Sequence, residues 1–189
     1  MGSNKKDKTK INWLQKSRES WNYNGSKRPP FAITPKEGQR SVWDFPRPPA
    51  IEKVCKPVIV HYKGVTIANS NEALAVLETA SPPTYYIPKG DVQMAMLTSI
   101  RSKTSLCEWK GNAVYWTLKT GIDRPVAWSY PNPFPEFEVL KDHIAFYPQH
   151  LECYIDGEQV TPQSSEFYAG WITSDLVGPF KGEPGTGHW

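Results

Sequence analysis

Residues 57–68, PVIVHYKGVTIA, contain two β-branched runs separated by a Lys-Gly pair. Residues of this kind favour strands, and glycine supplies the positive φ that a two-residue turn between antiparallel strands requires. The stretch therefore predicts a β-hairpin. A second hairpin is expected where strands over 104–109 and 113–119 flank the turn sequence KGN at 110–112.

Further short strands are expected over the rest of the core. Strands are predicted over 84–87 and 126–130, and a strand over 144–147 is expected to pair with 153–155 and 159–160 around a turn at Asp156 and Gly157. About eight short strands with this spacing indicate antiparallel sheets rather than alternating strands and helices. The expected fold class is mainly β with short helices.

Short helices are expected at three places. The first covers residues 11–19, and the third is one or two turns over 91–97 with Asp91 as its cap. The second begins at Asn69, whose side chain would cap the first turn while Glu72 completes a capping box. The apolar residues that follow at helical spacing would form its buried face: Ala73, Leu74, Val76 and Leu77.

The chain divides into a core and two flanking arms. Residues 1–40 form a basic tail, whose first ten residues are expected to be disordered, followed by an aromatic arm. Residues 41–163 form the β-rich core domain. Residues 164–189 combine Gly and Pro with five large aromatic side chains and Ile172, and a free tail would not expose so many. This C-terminal arm is therefore expected to pack on the core or on a neighbouring subunit.

Charge and composition exclude several classes of protein. The net charge is +3, but residues 1–40 carry ten basic and three acidic groups, which leaves residues 41–189 weakly acidic. An acidic core argues against dedicated nucleic-acid binding, because that affinity depends on Lys and Arg at phosphates. No apolar segment is long enough for a membrane helix or a signal peptide, so a cytoplasmic location is expected. Cys55, Cys107 and Cys153 form no C-x-x-C pair, so neither zinc nor another cofactor is expected.

Several motifs resemble those of the domain of unknown function family 427. They include SVWDFPRPP at 41–49, CEWKGNA at 107–113, AWSYP at 127–131 and IAFY at 144–147, in the order of the family. The resemblance spans about residues 41–160, and the arms are similar to those of longer bacterial, in particular cyanobacterial, members. It implies a β-tent fold, in which two antiparallel sheets meet at an angle, and no established activity.

The resemblance also brings two functional labels that the residues do not support. Many β-tent relatives hold zinc with two C-x-x-C pairs, which are absent from this sequence. Some members of the family are labelled as nucleotidyltransferases. The sequence lacks both a D-x-D pair after a Gly-Ser turn and a glycine-rich phosphate loop, so nothing in it indicates nucleotide transfer.

Two residues are candidates for a reactive group. Cys107 precedes Trp109 by two positions and is expected to share its strand face, while Lys110 in the turn could lower the pKa of the thiol. The alternative is a buried structural cysteine. Asp91 could act as a base, but helix capping explains the same residue.

Large aromatic side chains and two cations are the candidate ligand-binding residues. Trp109, Trp116, Trp128 and Tyr130 could wall a cavity for a flat or cationic ligand, or could simply fill the core. Arg47 could hold an acidic ligand, or could pair with Asp44 and stack on a ring as a structural residue. If Tyr85 and Tyr86 lie in a strand, they point to opposite faces. The candidate set is Trp43, Arg47, Tyr85, Tyr86, Trp109, Lys110, Tyr115 and Trp128.

Three functions are compatible with these residues. The first is a small-molecule-binding module whose pocket lies between the two sheets. The second is an enzyme that uses the same cleft, with Cys107 or Asp91 as the reactive group. The third is an interaction module, possible as a homodimer, that docks through its aromatic arms at 11–40 and 164–189.

Overall fold

The computed structural model describes residues 12–120, 123–165 and 167–189, and these residues form a mainly β fold. An α-helix, α1, covers residues 12–19, where a helix was expected. No helix in the described ranges has the length and apolar character needed to cross a membrane. The strands, in chain order, are β1 Arg40–Ser41, β2 Ala50–Lys53, β3 Val58–Tyr62, β4 Val65–Ser70, β5 Leu74–Leu77, β6 Thr84–Pro88, β7 Leu97–Cys107, β8 Gly111–Leu118, β9 Ala127–Ser129, β10 His143–Phe146, β11 Glu152–Ile155, β12 Glu158–Gln159, β13 Thr161–Pro162, β14 Trp171–Ile172 and β15 Leu176–Val177.

Two antiparallel sheets dominate the architecture. The larger has seven strands in the order β2-β5-β6-β10-β9-β8-β7, and the smaller has four in the order β12-β11-β3-β4. Two short strand pairs, β1 with β15 and β13 with β14, complete the described strands. The expected mainly β class with antiparallel sheets is therefore confirmed.

Both predicted hairpins are present. Strands β3 and β4 pair across Lys63 and Gly64, which have φ values of 49° and 77°. Positive φ at both turn residues gives the strands the twist that a tight hairpin needs. The second hairpin joins β7 to β8, but its turn comprises residues 108–110, two residues earlier than expected, because Cys107 already pairs with Gly111.

The helix expected to begin at Asn69 is absent, because its residues belong to β4 and β5. All four residues of β5 are buried, a pattern that fits a helix stripe as well as a strand covered on both faces. The capping signal marks a turn between the strands instead, where the Ser70 hydroxyl accepts a hydrogen bond from the Glu72 amide at 3.0 Å.

The pairing expected for β10 is also wrong. This strand lies between β6 and β9 in the larger sheet, whereas β11 pairs with β3 and β12 in the smaller sheet. Ile144, Ala145 and Phe146 are completely buried. In the larger sheet, both faces of β10 are covered and both of its edges are paired. A hairpin with β11 alone would leave one edge of β10 without a partner. The expected hairpin around Asp156 and Gly157 is present as β11 and β12.

Alternation along the strands of the larger sheet separates two hydrophobic cores. Ala75, Leu77 and Tyr85 point toward the smaller sheet and join the first core, which includes Val58 and Cys153 of that sheet. Their sequence neighbours point the other way, because successive strand residues face opposite sides. The second core lies on that outer face and includes Leu74, Val76, Tyr86, Ala113, Tyr115, Trp128 and Ala145.

Both arms contact the core domain. From the N-terminal arm, the Asn24 carbonyl accepts a hydrogen bond from the Arg47 amide of the core at 3.2 Å. From the C-terminal arm, the Lys181 amide donates to the Ala80 carbonyl, and the Trp189 ring lies 5.2 Å from that of Trp43. The division of the chain at 40 and 163 stays a prediction, and the expected disorder of residues 1–10 lies outside the described residues.

Gly25 is expected to be intolerant of any side chain. It has a φ of 83°, and a Cβ at this position would lie 2.2 Å from the Phe45 carbonyl oxygen. Gly38 has a similar φ of 79° but no atom within 4 Å of its Cβ position. Both Ala variants incur the strain of positive φ, about 1 kcal/mol, and Gly25→Ala adds the clash. Urea unfolding should therefore show a clearly larger loss for Gly25→Ala, and equal losses would contradict this contact.

Candidate functional site

A cavity of about 250 Å³ lies on the outer face of the seven-stranded sheet. The strands β5 to β9 supply one part of its wall, and both arms supply the rest. A pocket was expected between the two sheets, but the first core fills that space. The residues that line the cavity are Trp21, Val76, Glu78, Ser81, Pro82, Thr84, Tyr86, Ser105, Leu106, Cys107, Glu108, Lys110, Tyr115, Trp128, Tyr130, Tyr147, Gln163, Phe167, Tyr168, Ala169 and Lys181.

Eight aromatic residues line the cavity, and strand alternation explains the position of three of them. Tyr86 on β6, Tyr115 on β8 and Trp128 on β9 lie on three strands of the larger sheet and all point to its outer face. The turn between β7 and β8 then places Lys110 beside these rings. Trp21 and Tyr168 from the two arms close the space over the sheet.

Lys110 is the cation at the sheet side of the cavity. Among the residues that the structure describes, no side chain forms a hydrogen bond or salt bridge with its ammonium group. Burial lowers its pKa, but four acidic side chains outweigh burial and raise the pKa above its ordinary value: Cys107 and Tyr86, which act when they are ionised, and Glu78 and Glu108. The Lys110 side chain therefore stays positively charged at neutral pH.

The tyrosine hydroxyl groups of the wall are protonated donors. Burial raises the pKa of Tyr86 to about 12, although Lys110 and hydrogen bonding with Trp128 and Tyr130 oppose the rise. Burial likewise raises the pKa of Tyr130 and Tyr147. The Trp128 indole donates to the Tyr86 hydroxyl at 3.3 Å. A polar ligand thus meets neutral phenols and one free cation on this side of the cavity.

Cys107 lies beside Lys110 in the same wall. Its thiol is partly buried and donates to a Glu108 carboxylate oxygen at 3.8 Å. Trp109 was expected to share the strand face of Cys107. This prediction is wrong, because β7 ends at Cys107 and Trp109 lies in the turn. The structure therefore brings together two members of the predicted group of three.

Lys181 is a second lysine in the wall and comes from the C-terminal arm. The residue is 2% exposed, and its ammonium lies 3.7 Å from the centroid of the Trp21 ring. Burial and the nearby Arg47 guanidinium lower its pKa to about 8, while Glu78 and Glu108 act in the opposite direction. The two lysines of the cavity therefore differ in protonation at mildly alkaline pH.

Of the eight predicted ligand-binding residues, four line the cavity: Tyr86, Lys110, Tyr115 and Trp128. Tyr85 points into the first core, where its ring lies 5.1 Å from that of Trp171, so the two tyrosines do face opposite sides of β6. Trp43 is completely buried between the arms and donates from its indole to the Pro179 carbonyl at 3.0 Å.

Arg47 and Trp109 lie next to the cavity but outside its wall. Arg47 donates to Glu78, to the Tyr23 carbonyl and to the Thr79 carbonyl, with its guanidinium carbon 4.1 Å from the Trp21 ring centroid. Arg47 therefore pairs with a carboxylate and stacks on a ring, which was the structural alternative to ligand binding. Its carboxylate partner is Glu78 and not the expected Asp44, which pairs with Arg28.

Trp109 and Trp116, two of the tryptophans proposed as cavity walls, have other positions. Trp109 is 6% exposed and contacts the Arg18 guanidinium, whose carbon lies 5.0 Å from the ring. Trp116 packs against the first core, and its indole donates to the Ser129 hydroxyl at 2.9 Å. Of that predicted set, Trp128 and Tyr130 line the cavity.

Asp91, the second candidate for a reactive group, is not among the residues that line the cavity. It ends a 3₁₀ turn over Lys89–Asp91, and the next 3₁₀ turn, Met94–Met96, has Gln93 as its N-cap residue, so the expected cap at Asp91 is wrong. Its carboxylate accepts a hydrogen bond from the Ser70 hydroxyl at 2.6 Å. Asp91 therefore supports the turn that follows β4.

The contribution of both arms to the cavity was not predicted from the sequence. Trp21, Tyr168 and Lys181 all line it, yet each lies outside the strand pattern that suggested a pocket. The signal that could have found them is the aromatic content of both arms. The described residues contain no group of three or more His, Cys, Asp or Glu side chains arranged to hold a metal ion.

Comparison with known proteins identifies the family of the core. The family model for the domain of unknown function DUF427 matches residues 50–157, which is more than half of the 189 residues. A search of curated proteins finds no match. The matched region contains the strands β2 to β11, and with them the sheet side of the cavity, whereas the arms lie outside it. The chain therefore belongs to the DUF427 family, whose function is unknown.

Proposed function

We propose that this protein binds a small organic anion with a single aromatic or other flat ring in the cavity on the outer face of its larger sheet. The observation that carries the proposal is the charged Lys110, which lies among aromatic rings without a hydrogen bond or salt bridge from any described side chain. Lys110 is only partly exposed, and a charge that has lost part of its water is costly unless it is paired. A ligand carboxylate or comparable acid beside Lys110 would supply that partner.

The neighbouring acidic residues do not take this role. Glu78 forms a salt bridge with Arg47 at 3.2 Å, and the Glu108 carboxylate accepts a hydrogen bond from the Cys107 thiol. Both raise the pKa of Lys110 through space and keep it charged. The ammonium is therefore held in its cationic form while its hydrogen-bond donors remain available to a ligand.

Size and wall chemistry indicate the rest of the ligand. Pockets for drug-sized ligands measure roughly 300–1,000 Å³. At about 250 Å³, this cavity suits a compact molecule with one ring. Its walls offer the faces of Trp128 and several tyrosines for stacking, and the protonated phenols can donate hydrogen bonds to ligand oxygens.

The proposal predicts that benzoate binds and that its neutral and cationic analogues bind more weakly. Benzoate, benzamide and benzamidine share one ring, so a charge-assisted contact with Lys110 should favour benzoate by roughly tenfold or more. Binding can be followed by calorimetry and by tryptophan fluorescence, since Trp21 and Trp128 line the cavity. Lys110→Met should remove this preference.

Lys119→Met is the matched control, because Lys119 is exposed and follows β8, the strand that begins beside Lys110. Circular dichroism and the unfolding midpoint would establish that both variants fold. Equal losses in the two variants, or equal affinity for benzoate and benzamide, would contradict anion binding at Lys110. So would the failure of the folded wild-type protein to bind any anion in the series.

A further inference from the structure

We infer that Lys181 is a nucleophilic amine that captures the carbonyl group of an aldehyde or ketone in the cavity as a reversible Schiff base. The expected ligand class is a single-ring carbonyl compound that also carries an acid. This inference rests on the proposed function, because Lys110 would hold the acid while Lys181 meets the carbonyl carbon. It adds a covalent step that simple anion binding does not require.

The position of Lys181 supports this role. Its ammonium nitrogen lies 3.7 Å from the Trp21 ring centroid and 5.5 Å from that of Tyr168, and both rings belong to the cavity wall. The nitrogen is therefore at the wall and shielded from bulk water. Within the described residues, it forms no salt bridge that would fix it as a cation.

One hydrogen bond orients the nitrogen without requiring a charge. Lys181 Nζ donates to the main-chain oxygen of Trp189 at 2.9 Å. A neutral amine still has N–H groups for this contact, and its lone pair then remains free for attack on a ligand. The same bond can therefore hold the side chain in both protonation states.

Charged neighbours favour the neutral amine at mildly alkaline pH. Burial and Arg47 lower the pKa of Lys181 to about 8, and Glu78 and Glu108 only partly oppose them. Tyr168, whose ring centroid lies 5.5 Å from the same nitrogen, has a pKa raised by burial and stays neutral in this range. Lysines with pKa values lowered in this way are the usual Schiff-base nucleophiles.

The reaction balances without an oxidant or a reductant. The amine lone pair forms a bond to the carbonyl carbon, and the π electrons move to oxygen, which takes a proton from solvent. The nitrogen loses a proton, which gives a neutral carbinolamine. Its hydroxyl group takes a second proton and leaves as water while the nitrogen lone pair forms the carbon–nitrogen double bond, and the nitrogen then loses its second proton. The product is an imine between Lys181 and the ligand, which water can hydrolyse back.

Trapping with 4-formylbenzoate and cyanoborohydride tests the inference, since the hydride reduces the imine to a stable amine. Intact mass should show one adduct per chain, and peptide mapping should place it on Lys181. The trapping rate should rise between pH 7 and pH 9 with a midpoint near 8, as the amine loses its proton. Lys181→Arg, which keeps the charge but forms no imine, should abolish the adduct, and Lys119→Arg should not.

Competition covers the case in which Lys181→Arg fails to fold. In the wild-type protein, 4-methylbenzoate should protect Lys181, because it has the same ring and acid but no carbonyl carbon to attack. An adduct spread over exposed lysines, or one that 4-methylbenzoate leaves unchanged, would overturn the inference.

The same series separates this inference from the proposed function. If 4-methylbenzoate binds but 4-formylbenzoate leaves Lys181 unmodified, anion binding stands and carbonyl capture is wrong. If 4-methylbenzaldehyde modifies Lys181 as fast as 4-formylbenzoate does, capture stands and the acid does not contact Lys110.

Discussion

Trp43→Ala should lower the free energy of unfolding by about 3–5 kcal/mol, the usual range for replacing a buried Trp by Ala. Trp43 is completely buried, and its ring lies 5.1–5.2 Å from those of Tyr23, Phe31 and Trp189. The substitution would leave a cavity where both arms meet the core. It would also leave the Pro179 carbonyl without the indole donor that it has at 3.0 Å.

Trp13→Ala is the matched control for this prediction. Trp13 lies in α1 and is 46% exposed, so its removal should cost far less. Urea unfolding monitored by circular dichroism compares the variants without depending on tryptophan emission. Equal losses would show that Trp43 contributes no more than a surface ring. They would also contradict its assignment as a structural residue instead of a ligand contact.

The hairpins were predictable because their signals are local. A Lys-Gly pair between β-branched runs leaves few alternatives, and β3 and β4 form as expected. Strand β5 was not predictable in the same way, because LAVL covered on both faces has no period of two. The buried face of a helix and a fully buried strand have the same pattern over four residues. The potential cap at Asn69 favoured the helix, which is wrong.

The candidate site was predictable only in part for a related reason. Sequence alternation shows that Tyr85 and Tyr86 face opposite sides of a strand, but it does not show which side holds a core and which a cavity. That choice depends on where the smaller sheet packs, and it packs against the side of Tyr85. Lys110 was found because it lies in a recognisable turn, whereas Lys181 reaches the cavity through a long-range contact between an arm and the core.

The second large effect is expected at Arg47, which joins the N-terminal arm to the core beside the cavity. Arg47→Met should lower the free energy of unfolding by about 3 kcal/mol, the lower end of the range for breaking a buried ion pair. The variant leaves Glu78 without its cation and removes the donors to two backbone carbonyls, those of Tyr23 and Thr79. Urea unfolding measures the loss.

Arg28→Met is the control, because Arg28 pairs with Asp44 at 2.6 Å on the exposed surface, where such pairs contribute little to stability. A large loss in Arg28→Met and a small one in Arg47→Met would reverse the roles assigned to the two pairs.

Arg47→Met should also change the chemistry of the cavity, and this effect separates it from simple destabilisation. Because the Arg47 guanidinium lowers the pKa of Lys181, its removal should raise that pKa toward the ordinary value for lysine. The pH profile of trapping by 4-formylbenzoate should then shift to higher pH in folded Arg47→Met, and stay in place in Arg28→Met. An unshifted profile in folded Arg47→Met would mean that the two cations do not interact across the Trp21 ring, which both contact.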